Sequence, residues 1–79
     1  MELTKSGKDK LALVRKSGNL SGVPPLDYAI LVAVDETDSL EDVIGLCKTC
    51  RTYTGTKIRA SAEEVLRRIR VMQKSGMIN

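Results

Sequence analysis

Apolar residues recur at three- or four-residue intervals through segment 26–36, and they are Leu26, Ala29, Ile30, Ala33 and Val34. This spacing places their side chains on one face of an α-helix. Pro25 suits the first turn of such a helix, because its φ is fixed near the helical value and its missing N–H would have no partner there. We therefore predict a helix over residues 26–36. The β-branched residues within the segment leave a buried strand as the alternative.

Two later segments have the same helical period. Four apolar residues predict a helix over Leu40–Thr49, and they are Leu40, Val43, Ile44 and Cys47. Asp38 and Ser39 are both suitable caps for its first turn. The third predicted helix begins after Ser61 and ends near Gly76. Its buried stripe is Val65, Leu66, Ile69 and Met72.

Both ends of the third predicted helix carry recognisable signals. Ser61 and Glu64 have the spacing of a capping box, in which the two side chains bind orphan backbone N–H groups. Gly76 is a glycine cap at the C-terminal end. The apolar residues that follow, Met77 and Ile78, either pack back onto the helix or begin a short strand.

The flanking and connecting segments are less clearly patterned. Residues 1–22 are compatible with a short helix around 8–16 or a strand over 10–15, so we divide the chain into a partly ordered basic N-terminal extension, 1–23, and a domain, 24–79. Segment 51–59 is rich in threonine and suits an extended loop, a bent strand or an exposed turn. The sequence thus predicts a mainly α fold with a three-helix core, to which short strands can be added. The alternative is a small α/β unit with strands near 28–34 and 52–58.

Composition excludes several classes of protein. The chain has 79 residues and no histidine, which rules out Ser-His and Cys-His nucleophile systems and histidine-ligated metals. Its aromatic residues are Tyr28 and Tyr53, too few for a base-stacking surface. The longest uncharged apolar run has seven residues, whereas a membrane span needs about 20. No signal peptide is evident, so we expect a cytoplasmic protein without a membrane partner.

Cys47 and Cys50 form a single Cys-x-x-Cys pair. A structural zinc site needs four ligands, and a second pair is absent from the sequence, so only two copies of the chain could pool enough cysteines. Cys47 also lies on the apolar stripe of its predicted helix and is expected to be buried. We therefore predict no metal site within the chain and no cofactor.

Charge is unevenly distributed along the sequence. Residues 1–26 carry net charge +3, residues 27–42 carry −6 with no basic residue, and residues 43–79 carry +6. A C-terminal half this basic can form a surface that faces a polyanion, with the acidic block turned away from it.

The basic residues of the third predicted helix lie off its apolar stripe, where they can contact phosphate or base edges. Hydroxyl and cationic side chains precede that helix, whose N-terminus attracts anions. The candidate DNA-binding residues are Thr54, Thr56, Lys57, Arg59, Ser61, Arg67, Arg68, Arg70 and Lys74.

Segment 61–78 resembles the recognition helix of winged helix-turn-helix regulators. It shares with them a helix cap, a valine a few residues later, two adjacent basic residues, two apolar residues three positions apart and a closing Gly-apolar-Ile. The resemblance extends to 26–36 and 40–49 as the first two helices. It implies a winged-helix-like helix-turn-helix core with the third helix in the major groove. The family's wing is a β-hairpin after that helix, and here we expect it to be missing or moved to the N-terminal segment.

These observations favour a non-enzymatic protein that binds double-stranded DNA, a small transcriptional regulator or nucleoid-type protein acting alone or as a homodimer. The alternative is a protein–protein interaction domain on the same scaffold, with the acidic segment 35–42 as its docking face. A structural or RNA-binding accessory protein with a basic N-terminal arm is a third hypothesis. An enzyme is the weakest class, because the carboxylates lie in apparent caps and loops and form no catalytic pair.

Overall fold

Four α-helices make up most of the described chain in the computed structural model, which describes residues 1–37, 39–49, 57 and 59–79. They are α1 (Lys5–Ser17), α2 (Pro25–Glu36), α3 (Leu40–Thr49) and α4 (Ala62–Lys74), and a 3-10 turn (Gly18–Ser21) follows α1. The described residues contain four α-helices, where the sequence predicts a core of three, and no regular β-strand. The mainly α prediction is therefore confirmed, and the short strands are not found among these residues. A helix-turn-helix core is not established by this arrangement.

Helix α2 is the centre of the fold and packs against α1, α3 and α4. Its residues are buried on nearly every side, including Ala29, Ile30, Leu31 and Val34. The strand predicted near 28–34 as an alternative is therefore wrong. Burial all round explains the ambiguity, because a helix that is apolar on all faces loses the one-sided pattern that identifies it.

The ends of α3 and α4 have the predicted caps. The backbone N–H of Asp42 donates to Ser39 Oγ at 3.2 Å, and that of Glu64 donates to Ser61 Oγ at 3.2 Å. Gly76 has a φ of +86°. With that residue left-handed, the Met77 N–H reaches the Met72 carbonyl at 3.0 Å, which completes a Schellman motif.

We expect Ser61→Ala to lower the free energy of unfolding by about 1 kcal/mol, the usual effect of losing a side-chain cap. Urea denaturation followed by circular dichroism measures this. Ser61→Asn is the control, because it keeps an acceptor for the Glu64 N–H and should remain near wild type. Equal stability of Ser61→Ala and the wild type would show that the cap contributes nothing.

Helix α1 is longer than the sequence predicts, and the strand considered over 10–15 is wrong. Thr4 caps it by accepting the Gly7 N–H at 3.1 Å. Leu3, Leu11 and Val14 are buried, and Leu3 and Leu11 join the same core cluster as α2 and α4. Part of segment 1–23 therefore packs into the fold rather than extending from it.

The two ends of the described chain are joined side by side. Leu3 and Ile78 form an isolated antiparallel bridge. The Thr4 N–H donates to the Met77 carbonyl at 3.1 Å, and the Asn79 N–H donates to the Glu2 carbonyl at 3.0 Å. Ile78 is buried, so the residues after α4 both pack back and pair, the two outcomes left open by the sequence. This pairing fixes the end of α4 against the start of α1.

Candidate nucleic-acid interface

Helix α4 has a buried face and an exposed basic face. Val65, Ile69 and Met72 are buried against the core. At 100° per residue, Arg67, Arg70 and Lys74 lie on the opposite side of the helix, and all three are exposed. We call these three residues the α4 basic face. A helix presented in this way can offer cations to a phosphate backbone while its own packing stays intact.

Arg68 differs from the other three basic residues of α4 that are predicted to bind DNA, because its side chain is bound to Asp27 at the start of α2. The Arg68 Nε–H donates to Asp27 Oδ1 at 2.5 Å, and an Nη2–H donates to Oδ2 at 2.8 Å. The Asp27 side chain is only 6% exposed, whereas that of Arg68 is 38% exposed. Hydrogen bonds to this carboxylate are the main reason that the pKa of Arg68 is raised above its ordinary value.

The Asp27–Arg68 pair acts as an anchor between two helices. Two parallel hydrogen bonds fix the guanidinium plane relative to the carboxylate, so the pair specifies orientation as well as distance. Since Arg68 follows Arg67 directly, the anchor also fixes the rotation of α4 that turns the α4 basic face outward. The sequence suggests Asp27 only as a favourable charge in the first turn of α2.

The residues around the start of α4 divide into two groups. Lys57 and Arg59 are exposed cations, and Ser61 is exposed while its Oγ caps the helix. Glu63 and Glu64 are exposed carboxylates in the first turn. The positive charge of α4 therefore lies in its middle and C-terminal turns. Thr54 and Thr56, also predicted to bind DNA, lie outside the described residues.

The connections between the helices have unequal lengths. Three residues, 37–39, separate α2 from α3, whereas twelve residues, 50–61, separate α3 from α4. A helix-turn-helix motif joins its two helices by a turn of three or four residues. The short connection here leads into α3, whose first turn is acidic, and not into the basic α4. This is why the fold does not confirm the motif implied by the resemblance.

Cys47 is buried in the core with 1% of its surface exposed, as its place on the apolar stripe predicts. Cys50 lies outside the described residues. Among the residues that the structure describes, no group of three His, Cys, Asp or Glu side chains is placed to hold a metal ion. Within the same residues, no helix combines the length and apolar character that crossing a bilayer requires.

Comparison of the chain with protein-family models, curated proteins and solved structures gave no match. The architecture of the chain is that of a small all-α domain, with four helices among the residues that the structure describes.

Proposed function

We propose that this protein is a non-enzymatic double-stranded DNA-binding protein, a small transcriptional regulator or nucleoid-type protein that inserts α4 into the major groove. The observation that carries the proposal is the α4 basic face, three exposed cations opposite the buried stripe of one helix. The width of the major groove admits a single α-helix, and arginine binds guanine edges or phosphate oxygens there.

Each part of the helix has a role in this proposal. Arg67 and Arg70 contact the DNA bases or phosphates. Lys74, near the end of α4, contacts the DNA phosphate backbone. Lys57, Arg59 and Ser61, with Thr54 and Thr56, bind phosphates ahead of the helix. Arg68 acts by holding α4 against Asp27. Glu63 and Glu64 offset the helix dipole, and a carboxylate there can also accept from cytosine N4.

The size of the described structure favours binding as a homodimer. Its longest extent is 29 Å, which is shorter than the roughly 34–36 Å of one turn of B-DNA. One copy therefore reaches few base pairs, and two copies one turn apart would give the contact area that specific binding needs.

We expect the variant Arg67→Gln/Arg70→Gln/Lys74→Gln to bind a mixed-sequence duplex more weakly and with a shallower salt dependence. The slope of log K against log salt should fall by about 0.9 for each residue that lies on a phosphate, because fewer counterions are released. Fluorescence anisotropy with a labelled duplex over a salt series measures both quantities.

The control for this experiment is Arg67→Lys/Arg70→Lys, which keeps the charge and should keep most of the slope. Circular dichroism shows that each variant is folded. A glutamine variant that is folded and binds duplex as tightly as the wild type would rule out α4 as the contact surface.

A protein–protein interaction domain is the second candidate, and the acidic surface favours it. Four acidic residues are exposed around the connection between α2 and α3, next to the exposed Leu40, and they are Asp35, Glu36, Glu41 and Asp42. Such a surface suits a basic protein partner. Unchanged affinity for a partner in the α4 glutamine variant, combined with no duplex binding by the wild type, would favour this candidate.

A further inference from the structure

Helix α1 carries the densest exposed positive charge of the described surface. Five bases occur within its thirteen residues, and they are Lys5, Lys8, Lys10, Arg15 and Lys16. All five are exposed, and Asp9 is the one acid among them. None of these basic residues forms an ion pair with a described residue. Among the described residues, the ion pair is the one that joins Arg68 to Asp27.

Four of the five basic residues of α1 lie on its outer side, and Lys10 lies nearer the buried face. Gly7, Leu11 and Val14 are buried on the inner side. Lys5, Lys8 and Arg15 are separated by intervals of three and seven, which places them on a shared face with Lys16 beside them. The stripe from Lys5 to Lys16 is about 16 Å long, a length over which a DNA duplex carries roughly nine backbone charges.

The charge of α1 exceeds the charge that α4 offers to a ligand. With Arg68 committed to Asp27 and Glu63 on the same side as the α4 basic face, α4 presents a net charge of about +2 outward. The outer side of α1 carries four basic residues and Asp9, which together give +3. The two helices are also tied together where Thr4 binds the Met77 carbonyl. A polyanion is therefore attracted to α1 at least as strongly as to α4.

We propose that the outer face of α1 is a second contact surface for the phosphate backbone of duplex DNA, an inference that rests on the proposed function. The basic side chains are spread along the helix. Ala12 lies between Lys8 and Arg15, and its small side chain does not project between them at the middle of the stripe. A helix that binds an anionic membrane instead inserts a broad apolar face. Leu11 and Val14 of α1 are buried, and Leu13 is the one large apolar side chain of this helix that is exposed, so α1 lacks such a face and the nucleic acid is favoured.

The test is the variant Lys5→Gln/Arg15→Gln/Lys16→Gln, measured against a mixed-sequence duplex over a salt series. Glutamine retains helix propensity, so α1 should remain folded. We expect the slope of log K against log salt to fall by up to about 2.7, which is about 0.9 for each basic side chain replaced. The fall should be the same for duplexes of unrelated sequence. The matched control Lys5→Arg/Arg15→Lys/Lys16→Arg keeps every charge and should keep the wild-type slope.

The outcomes separate this inference from the proposed function. A folded α1 glutamine variant with the wild-type slope overturns the inference alone, provided that the α4 glutamine variant loses binding. Loss in the α1 variant with none in the α4 variant supports α1 as a contact and overturns the role of α4. A wild-type protein that binds phosphatidylserine vesicles and not duplex overturns both.

Discussion

Replacing Arg68 by methionine is expected to lower the free energy of unfolding by about 3 kcal/mol, the lower end of the effect of breaking a buried ion pair. The reason is Asp27, whose carboxylate is 6% exposed and takes both of its close hydrogen bonds from the Arg68 guanidinium. Without Arg68, a buried charge is left uncompensated. Because the Arg68 side chain is 38% exposed, solvent offsets part of the loss and the upper end of the range is not expected.

The matched control for Arg68→Met is Arg67→Met, the same change at the neighbouring exposed residue. Its unfolding free energy should stay within about 0.5 kcal/mol of the wild type, as is usual for surface substitutions. In a domain of this size, the Arg68 variant should show a melting temperature on the order of 10–20 °C lower. Equal stability of the two methionine variants would show that the ion pair does not anchor α4.

The double variant Asp27→Leu/Arg68→Met separates anchoring from DNA contact. Replacing both members of a buried pair by apolar residues is often neutral for stability, so most of the loss should be recovered. This variant retains the α4 basic face. Its salt slope for duplex binding should therefore match that of the wild type, whereas a slope smaller by about 0.9 would show that Arg68 itself contacts a phosphate.

The sequence predicts the helices whose apolar period and caps agree. For α3 the predicted and observed bounds are the same, and α4 ends at the predicted Gly76 cap. Helix α1 is harder to predict, because Gly7 lies inside it and glycine disfavours a helix interior. Its stability comes from packing against segments distant in the sequence, including residues 76–78. No pattern within α1 contains that information.

The candidate interface is only partly predictable for the same reason. Periodicity places Arg67, Arg70 and Lys74 away from the apolar stripe, and the structure shows them exposed. Arg68 satisfies the same spacing rule, yet it is held by Asp27, forty-one positions earlier. A helical wheel describes one helix, whereas this ion pair depends on how two helices meet.

Gly7→Ala is expected to destabilise the protein by about 2–3 kcal/mol, although helix propensity alone predicts the opposite sign. Gly7 lies inside α1, and a Cβ at this position would overlap the backbone carbonyl oxygen of Met77 and lie 3.3 Å from Leu3 Cδ2. The carbonyl belongs to the backbone and cannot rotate away. Relief requires separating α1 from residues 76–78, which breaks the bond from the Thr4 N–H and loosens the Leu3–Ile78 pairing.

Gly45→Ala is the matched control, because Gly45 lies inside α3 and a Cβ there meets nothing within 4 Å. It should stabilise the protein by about 0.5–1 kcal/mol, the usual gain from replacing glycine in a helix interior. Urea denaturation of both variants gives the two signs directly. Stabilisation by both would mean that α1 does not approach residues 76–78 as closely as the structure shows. Stability changes of opposite sign in the two variants would establish that the residues after α4 pack closely against α1. This packing holds the two basic helices next to each other.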